Sequence, residues 1–158
     1  DLDGATAAKG KVNDGVLARL LDHPYFNKPA PKSLDRHDFG LDLLSGLSIE
    51  DGAATLTKFT AQSIARACAL FGQLPRRWLV GGGGRRNPVL MKELTNALGV
   101  AVEPVEVVGW RGDAMEAEAF GFLAVAALRK FPLSFPSTTG VPQPFTGGRV
   151  HQPANQTP

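Results

Sequence analysis

Residues 79–88 of this 158-residue chain read LVGGGGRRNP, and this stretch decides the fold. The apolar run ending at Val80 predicts a buried strand. Asn87 followed by Pro88 predicts a helix start, because Asn is a favoured N-cap and Pro a favoured first helical residue. Four glycines between them allow positive φ and close approach of a flat ligand, while free N–H groups at a helix start favour anions. The stretch predicts a nucleotide site, and the alternative is a turn with a purely structural role.

The segments on either side of this stretch extend it into an α/β pattern. Hydrophobic periodicity, caps and glycine stops predict the elements. Helices are predicted from the start of the chain to residue 21 and over residues 48–72, 87–98 and 113–130, and strands over residues 78–80 and 100–105. Right-handed crossovers make the two strands parallel neighbours. Because two strands are too few for a stable sheet, we expect further strands upstream or on another chain.

The sequence also predicts helix caps and several core side chains. Ser48 is predicted to cap its helix with Asp51 as the capping partner, and Asp113 to cap the last helix. That helix has almost no polar face, so we expect burial on more than one side, by another chain or a swapped element. Trp78 and Phe120 are predicted core residues, and Cys68 a small one.

Composition and charge exclude several functions. The net charge is +2, with 17 basic residues scattered among 15 acidic ones, so a nucleic-acid surface is not predicted. No apolar run reaches the length of a membrane span, and the start of the chain is unlike a signal peptide. A single cysteine indicates a reducing compartment, and we expect a cytoplasmic protein. The three histidines lack ligand spacing, so no protein-held metal site is predicted.

Two common nucleotide motifs do not fit. Residues 4–11 differ from a P-loop, because five residues separate Gly4 from Gly10 and Val12 replaces the required Ser or Thr. The dinucleotide fingerprint fails at Arg86, where a third glycine belongs. A dehydrogenase is therefore not predicted.

GGGG at 81–84 followed by RRNP at 85–88 resembles the adenosine motif of the anhydro-N-acetylmuramic acid kinase family. Further segments resemble the same family in order and spacing: DG at 3–4, GKV at 10–12, PYF at 24–26, PKS at 31–33, DAMEA at 113–117, TTG at 138–140 and TGGR at 146–149. Leu34 and Asp35 stand where many members have Thr-Gly, so that loop is assigned no role.

The resemblance implies a member of the actin, Hsp70 and sugar-kinase superfamily, in which two ribonuclease-H-like domains close over nucleotide and sugar. Such a kinase uses ATP and water to convert 1,6-anhydro-N-acetylmuramic acid to N-acetylmuramate 6-phosphate in cell-wall recycling. The chain would be the C-terminal part of the ATP-binding (actin-like ATPase) domain, with residues 1–47 a connecting helix and loop, 48–130 an α/β core and 131–158 an extended tail. The N-terminal domain would be absent. The catalytic Asp would then lie upstream of Asp1, leaving no catalytic residue here and an inactive isolated fragment.

The resemblance also implies the site residues. ATP would be held by Gly81, Gly82, Gly83, Gly84, Arg85 and Asn87, with Mg²⁺ arriving on the nucleotide. Glu116 would contact the sugar, although it is also spaced to form a capping box with Asp113. Arg85 and Arg86 could reach the nucleotide phosphates, although adjacent arginines in an exposed turn are usually only solvated.

The sequence also allows two other functions and leads us to expect a partner chain. The chain could be a non-catalytic interaction module, or part of another sugar or acyl-phosphate kinase of the same superfamily. A homodimer or swapped assembly is expected.

Overall fold

A computed structural model describes residues 1–151 and divides the chain into two compact units, Asp1–Asp113 and Ala114–Pro158, of which residues 152–158 lie outside the description. The elements in chain order are helix α1 (Asp14–Leu21), helix α2 (Ile49–Arg66), strand β1 (Arg77–Val80), helix α3 (Pro88–Leu98), strand β2 (Ala101–Pro104), helix α4 (Met115–Leu128) and the one-turn helix α5 (Pro136–Thr139). The predicted α/β class is confirmed.

The sheet of the first unit is formed by β1 and β2. The two strands are parallel, with Arg77 opposite Ala101 and Val80 opposite Pro104. Helix α3 connects them, as expected for a crossover between parallel neighbours. Both strands and their parallel pairing were predicted from the sequence and are confirmed.

Helix α3 has the boundaries that its local sequence predicts. The Asn87 side-chain oxygen accepts a hydrogen bond from the Leu90 N–H at 3.0 Å. At the other end Gly99 adopts φ +67°, and its N–H bonds to the Thr95 carbonyl. An Asn N-cap, a first-position Pro and a left-handed glycine together define the helix.

Helix α2 begins as predicted but uses Asp51 differently. The Ser48 hydroxyl accepts a hydrogen bond from the Asp51 N–H at 3.1 Å. The Asp51 carboxylate accepts instead from the Lys11 N–H at 2.7 Å, so Asp51 is not a reciprocal capping partner. After Arg66 the chain continues as the 3-10 segment Ala67–Leu70, in which Cys68 is only half-buried.

The long helix predicted at the start of the chain is wrong. Two 3-10 turns, Leu2–Gly4 and Ala7–Lys9, come first, and α1 begins only at Asp14. A methyl group on Gly10 would lie 1.9 Å from the Glu50 carbonyl oxygen. The main chain therefore passes directly against the first turn of α2, which an extended segment allows and a continuous helix would not.

An aromatic and aliphatic core joins α1 to α2. Buried Leu and Phe side chains form its centre, with half-buried rings packed around them: Leu17, Leu20, Leu21 and Phe59, then Phe26 and Phe39. Lys32 contacts the same region: its ammonium group donates hydrogen bonds to the Tyr25 and Phe26 carbonyls at 3.0 Å each and lies over the Tyr25 ring. Trp78 is half-buried, with its ring centroid 6.0 Å from that of Phe71.

Helix α4 and the tail differ from three predictions. In α4, Ala126 is buried while Phe120 is 64% exposed, so Phe120 is not a core residue of this chain. The predicted coverage of the helix by another chain or a swapped element stays a prediction. The N-cap of α4 is Ala114 without a side-chain cap bond, so the predicted Asp113 cap is also wrong. The tail is not simply extended: it contains α5 and an antiparallel bridge between Ser134 and Phe145.

Candidate functional site

The glycine turn, residues 81–87, connects the end of β1 to the cap of α3. Gly82 has φ +67° and ψ −174°, a backbone conformation that residues other than glycine rarely adopt. A methyl group on Gly82 or Gly83 would have no protein atom within 4 Å, whereas one on Gly84 would lie 3.3 Å from Leu90. Gly82 is thus explained by its backbone conformation and Gly84 by packing. The main chain at Gly82 and Gly83 faces open space, as a flat ligand would require.

Gly4 lies directly against the helix start that follows the turn. A methyl group on Gly4 would be 2.3 Å from the Asn87 side-chain oxygen and 2.8 Å from Val89. Its φ of +76° also favours glycine. Sequence reasoning placed Gly4 in a segment resembling the family but did not predict this contact with Asn87. The glycine itself was the available signal, since glycine often marks a close approach of main chain.

The guanidinium of Arg85 is committed to protein groups on all three of its nitrogens. Nε donates to the Glu106 carboxylate at 2.8 Å, Nη2 to the Asp113 carboxylate at 2.8 Å, and Nη1 to the Gly82 carbonyl at 2.7 Å. Only 6% of the side chain is exposed. The hydrogen bond to Asp113, followed by that to Glu106, raises the pKa of Arg85 above its already high ordinary value. Because so little of the side chain is exposed, a phosphate could reach Arg85 only if the groups around it moved aside.

The acidic partners complete what we call the Arg85 cluster, consisting of Arg85, Glu106, Gly112 and Asp113. Arg85 holds the pKa of Asp113 below its ordinary value, and the main-chain N–H of Glu106 followed by Arg85 does the same for Glu106. Asp113 also accepts a hydrogen bond from Arg86. Gly112 is buried, and a methyl group there would lie 2.3 Å from the Arg85 Nε. Sequence reasoning identified neither Glu106 nor Gly112.

Glu116 lies in the first turn of α4, in the second unit, and is exposed. Because α4 has no side-chain cap bond and Asp113 bonds to arginines, the alternative capping-box role of Glu116 is wrong. Its contact with a sugar stays a prediction.

Two surface depressions lie elsewhere in the first unit. One, of about 380 Å³, is lined mainly by small and apolar residues of the Ala7–Lys9 segment, α2 and the start of α3, together with Lys92 and Glu93. The other, of about 410 Å³, lies between α2 and the end of α3 and includes Lys58 and Arg66. Within residues 1–151, no group of three or more His, Cys, Asp or Glu side chains is arranged to hold a metal ion. In the same range, no helix combines the length and apolarity that a membrane crossing needs.

Comparison with known proteins gives a consistent result. Residues 1–153 match the family model described as anhydro-N-acetylmuramic acid kinase. Three curated proteins of that name are similar to this chain: that of Rhodospirillum rubrum is 59% identical over 148 residues, that of Brucella anthropi 56% over 150, and that of Caulobacter vibrioides 53% over 150. These matches cover 94%, 95% and 95% of this chain and 40% of each relative. The chain therefore spans about two fifths of the length of the curated relatives it matches.

Proposed function

Because the chain belongs to the anhydro-N-acetylmuramic acid kinase family, we propose that it carries the adenosine-binding part of an ATP-dependent sugar kinase. The complete enzyme converts 1,6-anhydro-N-acetylmuramic acid and water to N-acetylmuramate 6-phosphate, with ATP as the phosphoryl donor. This reaction belongs to the recycling of cell-wall sugars. The observation that carries the proposal is the open main chain of the glycine turn between β1 and the capped start of α3.

The geometry of the turn suits the adenosine part of ATP. Gly82 and Gly83 leave the space beside the main chain free, so a purine or ribose can approach to contact distance. Asn87 offers its amide nitrogen, since its oxygen is bonded to Leu90. Mg²⁺ comes with the nucleotide, because phosphate oxygens and water are its preferred ligands, and it neutralises charge on the transferred phosphoryl group. Glu116 is the residue we assign to the sugar.

We further propose that the chain is the C-terminal part of a ribonuclease-H-like domain, with a connecting helix and loop at 1–47, an α/β core at 48–130 and a tail at 131–158. Two parallel strands of four residues each support this, because a sheet of that size is marginal in water. The exposed apolar side chains of α4 support the proposal that the rest of the enzyme or a second subunit covers this helix. The catalytic base would be supplied by residues outside this chain.

A product assay tests the reaction itself. The full-length protein is incubated with 1,6-anhydro-N-acetylmuramic acid, ATP and Mg²⁺, and mass spectrometry identifies the products. We expect ADP and N-acetylmuramate 6-phosphate in equal amounts. Phosphorylation of a different sugar or of an acyl group would support another kinase of the superfamily, and no nucleotide turnover or binding would support a non-catalytic module.

A pair of glycine substitutions tests the site. Gly83→Ala and Gly72→Ala both add a methyl group with no protein atom within 4 Å, and neither glycine has positive φ. Both variants should be as stable as wild type or slightly more so, because alanine lowers the conformational entropy of the unfolded chain. That effect raises the free energy of unfolding by about 0.4–1 kcal/mol. Only Gly83→Ala should weaken ATP binding, measured by isothermal titration calorimetry, since its methyl group occupies the proposed adenosine face. Equal ATP affinity in the two variants would place the nucleotide elsewhere.

A further inference from the structure

We propose that Arg85 is a positioning residue that holds the glycine turn in the shape that admits adenosine, and that it does not bind the phosphates. The inference rests on the proposed function and deepens it. An arginine at the rim of a nucleotide site is ordinarily assigned to phosphate, because the guanidinium matches phosphate geometry. In this chain the contacts of Arg85 point to a different role.

The first observation is the set of hydrogen bonds that Arg85 makes. Its Nη1 donates to the carbonyl of Gly82, three residues earlier in the same turn, at 2.7 Å. Gly82 is the residue with positive φ, and it faces the open space. The other two nitrogens bond to Glu106 and Asp113, which follow β2 in sequence. Arg85 therefore fixes the orientation of the Gly82 peptide relative to the segment beyond the neighbouring strand.

The second observation concerns charge. Two carboxylates, those of Glu106 and Asp113, lie at 2.8 Å from one guanidinium. They offset its positive charge and would repel an approaching phosphate. Of these two carboxylates, the neighbouring Arg86 contacts that of Asp113 alone. Because 60% of its side chain is exposed, Arg86 is the more accessible cation of the turn.

The third observation is the fit of Gly112. This residue is buried against the guanidinium, and a methyl group there would lie 2.5 Å from the Arg85 Cζ and 2.6 Å from the Glu106 carboxylate. The obstructed atoms belong to side chains, so the Gly112→Ala variant can fold by moving Arg85. It would then displace the guanidinium from Gly82 while leaving every charge of the cluster in place.

The test measures binding of adenosine and of ATP with Mg²⁺ to the full-length protein by calorimetry. Three variants disturb the cluster: Arg85→Gln, Glu106→Ala and Gly112→Ala. We expect each to weaken adenosine and ATP by the same factor, about tenfold, because a misplaced turn affects the adenosine that both ligands share. In the kinase assay the KM for ATP should rise more than kcat falls, as for loss of uniform binding. Arg77→Gln is the matched control, since Arg77 pairs loosely with Glu103 at 3.8 Å on the exposed surface of the strands.

A phosphate-binding Arg85 gives results of a different kind. Arg85→Gln would then weaken ATP and leave adenosine unchanged, and Glu106→Ala would strengthen ATP by freeing the guanidinium. Either result overturns the positioning role. Retention of wild-type adenosine affinity in all three variants also overturns it while leaving the proposed function intact. A wild-type protein that binds neither ligand overturns both proposals.

Discussion

Replacing Asn87 separates its role in the fold from its proposed role in binding. The Asn87 oxygen accepts the Leu90 N–H at 3.0 Å, a normal length for such a bond. Pro88 has no N–H, and the Met91 N–H bonds to the Asn87 carbonyl at 3.0 Å. The side chain of Asn87 thus satisfies one of the few donors left at the start of α3. Asn87→Ala removes that acceptor, whereas Asn87→Asp keeps it.

The magnitude follows from this geometry. Loss of an N-cap side chain costs about 1 kcal/mol, within a range of about 0.5–2. In a chain of this size that corresponds to a fall in Tm of about 2–4 °C. Asn87→Asp should be at least as stable as wild type, because a negative charge at a helix N-terminus contributes about 0.3–1 kcal/mol. Asn96→Ala, an exposed change later in the same helix, should cost nothing, since alanine has the higher helix propensity.

Urea unfolding followed by circular dichroism measures these stabilities, and calorimetry with adenosine measures binding. We expect Asn87→Asp to unfold at the wild-type urea concentration or slightly above it and yet to bind adenosine more weakly, because aspartate lacks the amide nitrogen that we propose contacts adenosine. If Asn87→Ala proves as stable as Asn87→Asp, the cap contributes nothing. Unchanged adenosine binding by the aspartate variant would remove Asn87 from the nucleotide site.

Two further predictions concern stability. Thr55 is fully buried, and its hydroxyl accepts the Asn13 N–H at 2.9 Å, so Thr55→Val should cost about 1–3 kcal/mol in urea unfolding, while Thr55→Ser should keep the bond and cost less. The Arg85 cluster should stabilise the fold above pH 4.5 and lose its effect in acid, because the pKa values of Glu106 and Asp113 lie below their ordinary 4.5 and 3.8. The stability difference between wild type and Arg85→Gln should therefore shrink as the pH falls below 4.5, and a difference that grows in acid would contradict this sign.

Local signals explain which parts of the fold could be predicted from the sequence. The limits of α3 follow from Asn87, Pro88 and Gly99, all within one turn of the ends they define. The start of the chain also has helical periodicity but lies against α2, and contacts between residues distant in sequence, such as Gly10 with Glu50 and Lys11 with Asp51, explain why it is not helical. Such contacts depend on the tertiary fold, so periodicity alone cannot detect them. The apolar character of α4 was evident from the sequence, and the side chains it exposes in this chain are those that the sequence analysis expected another chain or a swapped element to cover.

The Arg85 cluster was missed for a related reason, and the sheet register shows how it could have been found. Its hydrogen bonds join residues 21 and 28 positions apart in sequence. In the parallel register Val80 lies opposite Pro104, so the residues that follow the two strands leave the same edge of the sheet. Arg85 and Glu106, five and two positions beyond those ends, can therefore meet. Once two strands are assigned as parallel neighbours, opposite charges just beyond their carboxyl ends become candidate ion pairs. Applied to this sequence, that criterion makes Glu106 a candidate partner of Arg85 or Arg86, and in the structure Glu106 pairs with Arg85.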